Sequence, residues 1–149
     1  MVDMTGHRDH TMLDISVISA VQELADAHQT RVLAIATVCG QKFVRSRACI
    51  RAGGVACPEE DGPSPGDPIA AFPELAHCLE HHDSRAEGLG SDGLRRLWLP
   101  IWFGDKASAC LEITHEHRFS AEAVHMISGI VSVYRNFQNL LDYSERDSL

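Results

Sequence analysis

Two segments, one near each end of the chain, repeat apolar residues with the period of a helix. From about residue 9 to 28 the apolar positions recur at alternating spacings of four and three, which predicts an N-terminal helix. Ser120 is a good N-cap residue, and apolar residues at heptad spacing follow it, which predicts a C-terminal helix over about 120–145. Met126, Val133 and Leu140 add a second apolar strip to this C-terminal helix.

Between these helices the apolar pattern changes to that of strands. The stretches "RVLAIATVCG" and "KFVRSRACIRAGG" predict two adjacent strands with Gly40 and Gln41 in the turn, and "LRRLWLPIWF", "GDK" and "ASACLEIT" predict a hairpin. In the hairpin's first strand Leu97 and Leu99 share one face, while Trp98 and Trp102 share the other. Because both faces are apolar, we expect an antiparallel sheet with helices on each side.

The segment between the two strand pairs carries a loop and a short helix. "CPEEDGPSPGDP" is rich in proline, glycine and acidic residues, which predicts a mobile loop because it can bury little apolar surface. "IAAFPELAHCLEHHD" predicts a short helix that begins around Pro73, since proline is tolerated in the first turn.

Composition narrows the possible functions. A chain of 149 residues with 44% hydrophobic composition is long enough for one domain, and a net charge of −8 disfavours binding to nucleic acid or an anionic membrane. We find no signal-peptide pattern and no apolar run long enough to cross a bilayer. The five cysteines form no C-x-x-C pair, so we expect reduced thiols and a cytoplasmic protein.

Two apolar strips on one helix predict two packing partners. One strip would pack on the chain's own sheet, and the other would seek a second subunit. We therefore predict a homodimer in which the N- and C-terminal helices of both subunits form a parallel four-helix arrangement. The expected interface residues are Leu13, Val17, Leu24, Ile127, Ile130, Tyr134, Phe137 and Leu141.

The order of these elements resembles a GAF domain, a small sensor fold related to PAS domains. The hairpin "LWLPIWFGDKASACLEI" carries most of the resemblance, since Leu111, Glu112 and Ile113 match a "G-x-L-E-I"-like strand and Cys110 stands where a small residue is common. The resemblance implies one α/β (α+β) sensor domain over residues 1–145 with a core over 31–117. Its fold would be an antiparallel sheet of five to six strands, with the N- and C-terminal helices on one face and short helices and loops on the other.

The last three residues suggest a further domain. Asp147, Ser148 and Leu149 resemble the start of the "D-x-L-T-G-L-x-N-R" motif of GGDEF domains, which usually follow a long signalling helix. The resemblance implies that 146–149 begin a linker to a GGDEF domain, and that the parent protein is a diguanylate cyclase making cyclic di-GMP from GTP. GTP and Mg would belong to that domain, so we expect neither catalysis nor a cofactor in this segment.

By the same resemblance, a small-molecule pocket would lie between the sheet and the short helices. Arginine can bind an anionic ligand bidentately and tryptophan can stack on a flat one. The alternative is that the arginines are solvated and the tryptophans fill the core. The candidate ligand-binding residues are Arg45, Arg47, His77, Cys78, His81, Trp98 and Trp102.

Two other site chemistries remain as alternatives. A metal- or haem-binding sensor could use histidines at helical spacing, but no third and fourth ligand accompany them, so we predict no metal. A thiol-dependent reductase of GAF-like fold would need an activated cysteine, and the best candidates are Cys49, between two arginines, and Cys57, at the mouth of the loop.

Two known GAF ligand classes fit the sequence poorly. Bilin-binding GAF domains attach the chromophore through cysteine followed by histidine, whereas here His77 precedes Cys78. The "N-K-x-F-x-D-E" signature of cyclic-nucleotide binding has no match, since Asn136 and Asn139 lie on the predicted C-terminal helix.

Overall fold

The computed structural model describes residues 4–59 and 66–147 of the chain. The elements within these ranges follow the predicted order, with a long helix at each end. They are α1 Met4–Ala25, β1 Gln29–Val38, β2 Gln41–Arg51, β3 Cys57–Pro58, β4 Asp67–Pro68, a 3-10 helix Ile69–Ala71, α2 Pro73–Glu80, β5 Ala86–Leu89, β6 Arg95–Phe103, β7 Lys106–His115 and α3 Ala121–Asp147. None of the described helices is long and apolar enough to cross a membrane.

The strands form one antiparallel sheet. Its order is β3-β2-β1-β7-β6-β5, and β4 pairs with β2 outside this path. The two predicted hairpins are β1–β2 and β6–β7, and β1 and β7 pair with each other in the centre of the sheet. The predicted fold class is confirmed, with two of the seven strands only two residues long.

The sheet separates two apolar cores. On one face α1 and α3 bury Ile18, Leu97 and Ile127 against the strands. On the other face Leu75 of α2 belongs to a second core together with Trp98 of β6. The alternation along β6 therefore divides leucines and tryptophan between the two cores, as the sequence predicts.

Three short strands were not predicted. The segment 57–68 was interpreted as a loop, and residues 60–65 of it lie outside the described part of the chain. Its two ends are not loop, because Cys57–Pro58 and Asp67–Pro68 each pair with β2. Strand β5 was not predicted either, because it is only four residues long and contains a glycine. Only its pairing with β6 defines it as a strand.

Helices α1 and α3 pack against each other as predicted, but they run antiparallel. The His10 Nε2 of α1 lies 3.3 Å from the Asp142 Oδ1 of α3, and the Tyr134 hydroxyl of α3 lies 2.6 Å from the Asp14 Oδ1 of α1. The parallel direction is wrong for these two helices. The His28 N–H donates to the carbonyl of Thr114, so α1 ends beside the end of the central strand β7, from which the chain continues to α3.

The two apolar strips of α3 have different surroundings. Val17 of α1 and Ile127 and Tyr134 of α3 were predicted at a dimer interface, but all three are buried in the chain's own core. Met126, Val133, Phe137 and Leu140 of α3 are instead between 45% and 63% exposed. The outward-facing apolar strip is therefore formed by these exposed residues.

Candidate functional site

A row of polar side chains crosses the middle of the α2 face. Arg31 of β1, Glu112 of β7 and Trp98 of β6 lie opposite one another in the strand register. The Arg31 Nε donates to Glu112 Oε1 at 2.7 Å, and the Trp98 Nε1 donates to Oε2 at 2.9 Å. Glu112 is only 1% exposed, so its charge is compensated by these two partners rather than by water.

This row forms the floor of an open cleft of about 370 Å³. Arg96 and Asp92 lie at its edge, joined by a 2.8 Å ion pair, and the bond from Arg96 holds the pKa of Asp92 below its usual range. Gly90 belongs to the same edge, where a Cβ would collide with the Arg96 guanidinium. The cleft thus offers two guanidiniums and three carboxylates, of which Glu74 is the third, to a small polar ligand.

A second cleft, of about 420 Å³, adjoins α2 and includes two of the predicted ligand residues, His77 and Cys78. The imidazole rings of His77 and His81 stack with their centroids 4.0 Å apart. The Cys78 thiol donates to the carbonyl of Asp83 at 3.3 Å. These contacts are local to α2 and the residues that follow it.

Trp98 and Trp102 have separate positions. Trp98 is buried beneath the first cleft, whereas Trp102 donates its Nε1–H to the carbonyl of Asp83 and stacks on the ring of His82 at 4.2 Å. Trp102 therefore packs over the C-terminal end of α2.

Arg47 lies on the opposite face of the sheet from α2. Its Nε donates to Asp14 Oδ2 at 2.7 Å, its second nitrogen donates to the Tyr134 hydroxyl at 3.0 Å, and that hydroxyl donates to Asp14 Oδ1 at 2.6 Å. Burial lowers the pKa of Arg47, but the charges and hydrogen bonds of Tyr134 and Asp14 raise it by more. Arg47 thus joins β2 to α1 and α3 instead of facing the clefts, and Arg45 lies half-buried next to Val44 of β2.

Five charged residues of the first cleft were missed by the sequence reasoning. They are Arg31, Glu74, Asp92, Arg96 and Glu112. A usable signal was the single acidic residue in the apolar stretch "ACLEIT", because a carboxylate in a central strand needs a cationic or donor partner on a neighbouring strand.

The described residues contain no group of three or more His, Cys, Asp or Glu side chains that could hold a metal ion. His115, the last residue of β7, and His117 interact with each other, since the backbone N–H of His117 donates to the His115 Nδ1 at 2.9 Å.

The buried thiols should react slowly. Burial and the charge of Asp83 raise the pKa of Cys78 to about 11, and burial raises that of Cys110 as well. We expect N-ethylmaleimide at pH 8 to alkylate the exposed Cys39 and Cys57 long before Cys78, because a pKa of about 11 leaves roughly one Cys78 thiol in a thousand as thiolate. Timed alkylation with peptide mass mapping would measure this, and equal rates would contradict it.

The fold has clear structural relatives. The chain is similar to the PixJ GAF domain of Thermosynechococcus elongatus in its blue-light absorbing form, at a TM-score of 0.65 and 13% identity, covering 99% of this chain and 95% of that one. It is also similar to the second GAF domain of DevS from Mycobacterium smegmatis, at 0.62 and 18%, covering 92% and 98%. The chain has the fold of a GAF domain.

A third structure similar to the chain is that of an IclR homologue. The chain is similar to an IclR homologue from Microbacterium hydrocarbonoxydans, complexed with 4-hydroxybenzoate, at a TM-score of 0.59 and 11% identity, covering 93% of this chain and 70% of that one. No protein-family model matches the sequence, and no curated protein matches it. The GAF fold is therefore established by structure at low sequence identity.

Proposed function

We propose that this GAF-fold chain is a regulatory sensor and dimerisation module without catalytic activity of its own. The observation that supports this most is that the two faces of the sheet carry different kinds of surface. One face has the polar cleft over Glu112, and the other has α3 with its exposed apolar strip. A ligand in the cleft would act by binding two arrangements of the helices with different affinity.

The ligand would be a small polar molecule that shares the guanidiniums of Arg31 and Arg96. The cleft volume of about 370 Å³ is within the range of small-molecule binding sites. The similar IclR homologue is complexed with 4-hydroxybenzoate, so this aromatic carboxylate is a reasonable first probe.

Native mass spectrometry tests the cleft as the ligand site. We expect the purified protein to carry a co-purifying small molecule or to bind added 4-hydroxybenzoate. The Arg31→Ala variant should lose this adduct, because the ligand would lose a guanidinium in the cleft. Arg51→Ala, at an exposed residue of β2, should retain it. Retention of the adduct by Arg31→Ala, or loss by both variants, would exclude the cleft.

The partner of α3 would be a second copy of this chain. Met126, Ile130, Val133, Phe137 and Leu140 recur at spacings of four and three, the heptad pattern by which helices pair. The same strip on two subunits can pack about a two-fold axis. Leu13, Leu24 and Leu141, also predicted at the interface, are only partly buried or exposed and could flank it.

Disrupting the strip should separate the dimer. Phe137→Glu should weaken association at least about a hundredfold, because burying an unpaired carboxylate costs roughly 3 kcal/mol or more. Light scattering after size exclusion would report the mass. Val38→Glu changes an apolar residue that is 44% exposed at the end of β1, so it should leave the dimer intact. A monomeric wild-type protein would contradict the proposal.

The parent protein would be a diguanylate cyclase, so that α3 transmits the state of the sensor to GGDEF domains making cyclic di-GMP. This part of the proposal depends on the resemblance of Asp147, Ser148 and Leu149 to the GGDEF motif. The side chains of these residues lie outside the described part of the chain. Reading the codons after Leu149 would test it directly, since a GGDEF protein continues with a sequence similar to "T-G-L-x-N-R".

A further inference from the structure

Two cysteines lie opposite each other across the β2–β3 pair. Cys49 of β2 and Cys57 of β3 are partners in the strand register, next to the pair Ala48 and Pro58. Both thiols are free; Cys57 is exposed and Cys49 is half-buried. Because directly opposed residues of antiparallel strands project to the same face, the two side chains are neighbours on the α2 side of the sheet.

The hydrogen bonding of this pair fixes its spacing. Pro58 has no N–H, so it must occupy a position of the ladder that is not hydrogen-bonded, and the Glu59 N–H donates to the Arg47 carbonyl at 2.8 Å. The register alternates, so Cys49 and Cys57 are a hydrogen-bonded pair with Cα atoms about 5.5 Å apart. Disulfides span Cα distances of about 4.4 to 6.8 Å, which includes this spacing. The Cβ atoms of a hydrogen-bonded pair are about 5.5 Å apart, so β3, which is only two residues long, would move by about 1 Å to bring them to the roughly 4.5 Å or less that a disulfide needs.

We propose that Cys49 and Cys57 form a reversible disulfide when a hydroperoxide oxidises the protein. The Cys57 thiolate attacks the peroxide, so that a sulfur–oxygen bond forms, the oxygen–oxygen bond breaks and an alcohol or water leaves. The Cys49 sulfur then attacks the Cys57 sulfenic acid, so that the disulfide forms and water leaves. Two thiols are oxidised by two electrons in total, and the peroxide accepts both electrons and the two thiol protons.

The environments of the two thiols assign the order of these steps. Cys57 is exposed and accessible to the oxidant. Burial and the charge of Glu59 raise the pKa of Cys49, although Arg51 and Arg31 offset part of this, so Cys49 is the slower thiol toward peroxide. Cys49 is therefore the thiol that resolves the sulfenic acid.

This disulfide would form close to the link between the sheet and the helices. Val32 faces Ala48 and Leu33 faces Ser46, so Arg47 is the extra residue of a β-bulge in β2. Its carbonyl accepts a hydrogen bond from Glu59, two residues beyond Cys57, while its side chain holds Tyr134 of α3. Clamping β3 onto β2 should therefore slow hydrogen exchange at the Glu59 amide.

Peptide mapping of the full chain tests the pair. The protein would be treated with hydrogen peroxide, and its remaining thiols would be blocked with N-ethylmaleimide. Digestion with trypsin and a Glu-specific protease, which cut after Arg51 and Glu59, then isolates Cys49, Cys57 and Cys78 on separate peptides. We expect peptides 48–51 and 52–59 to be joined until dithiothreitol is added, with the intact mass lower by two hydrogen atoms. The Cys39→Ser variant should give the same joined peptides, and Cys57→Ser should leave Cys49 alkylated.

The proposal is wrong if peroxide leaves both cysteines alkylated, joins Cys57 to a thiol other than Cys49, or only over-oxidises Cys57. It does not depend on the proposed sensor function. Light scattering on the reduced protein separates the two proposals. A monomer would refute the proposed dimer but not the proposed disulfide, and failure to form the disulfide would not refute the dimer.

Discussion

The Arg47→Ala variant should lose about 3–5 kcal/mol of unfolding free energy, the range for breaking a buried ion pair from one side. Asp14 is only 4% exposed and would be left with the single hydrogen bond from Tyr134. Urea unfolding followed by circular dichroism would measure the loss as a lower midpoint at an unchanged slope.

Two controls make this prediction specific. Arg51→Ala, an exposed arginine of the same strand, should change stability by no more than about 0.5 kcal/mol. The double variant Asp14→Ala/Arg47→Ala should be less destabilised than the sum of the single variants, because no buried charge is left unpaired. Equal effects of Arg47→Ala and Arg51→Ala would mean that the link between β2 and the helices contributes nothing.

Glu112→Ala should have the second largest effect. It leaves the Trp98 N–H without an acceptor, which costs about 1–3 kcal/mol, and it deprives Arg31 of its ion pair. The Arg31 side chain is 26% exposed, so water can replace part of that pair, and we expect a smaller loss than for Arg47→Ala.

Tryptophan fluorescence would follow this change directly. In a Trp102→Phe background the emission reports Trp98 alone, and it should shift in Glu112→Ala because the indole N–H gains a different partner. Glu112→Gln should lie between the two, since the amide oxygen can still accept from Trp98. Glu116→Ala, an exposed acidic residue beyond β7, is the matched control and should leave emission and stability unchanged.

The helices and hairpins could be predicted because their signals are local. The Ser120 hydroxyl accepts the Ala123 N–H at 3.1 Å, and α2 begins at Pro73, as their positions in the sequence indicate. The short strands β3 and β5 carry no such signal. They are strands because the edges of β2 and β6 offer them backbone partners.

The candidate site was less predictable because it depends on which residues meet across strands. The sequence places Glu112 in the predicted hairpin together with its partner Trp98, but the other partner, Arg31, is distant in sequence. His77 and Cys78 do line a cleft beside α2. Which apolar strip of α3 is buried was equally undetermined, since both strips have helical spacing and only packing on the sheet distinguishes them.

The sequence by itself determined the helices, the central hairpins, the GAF-like order of elements and the two apolar strips, because each follows from spacing along the chain. Only the tertiary structure decided the faces of β2. Simple alternation would put Arg47 on the same face as Cys49, and Val44 on the same face as Ala48. In the structure Val44 packs on the α2 side of the sheet and Ala48 on the side of α1 and α3, so the alternation is interrupted between them. The bulge at Arg47 inserts one residue and so turns its side chain toward Asp14 and Tyr134, because a shift of one residue reverses the face of a strand.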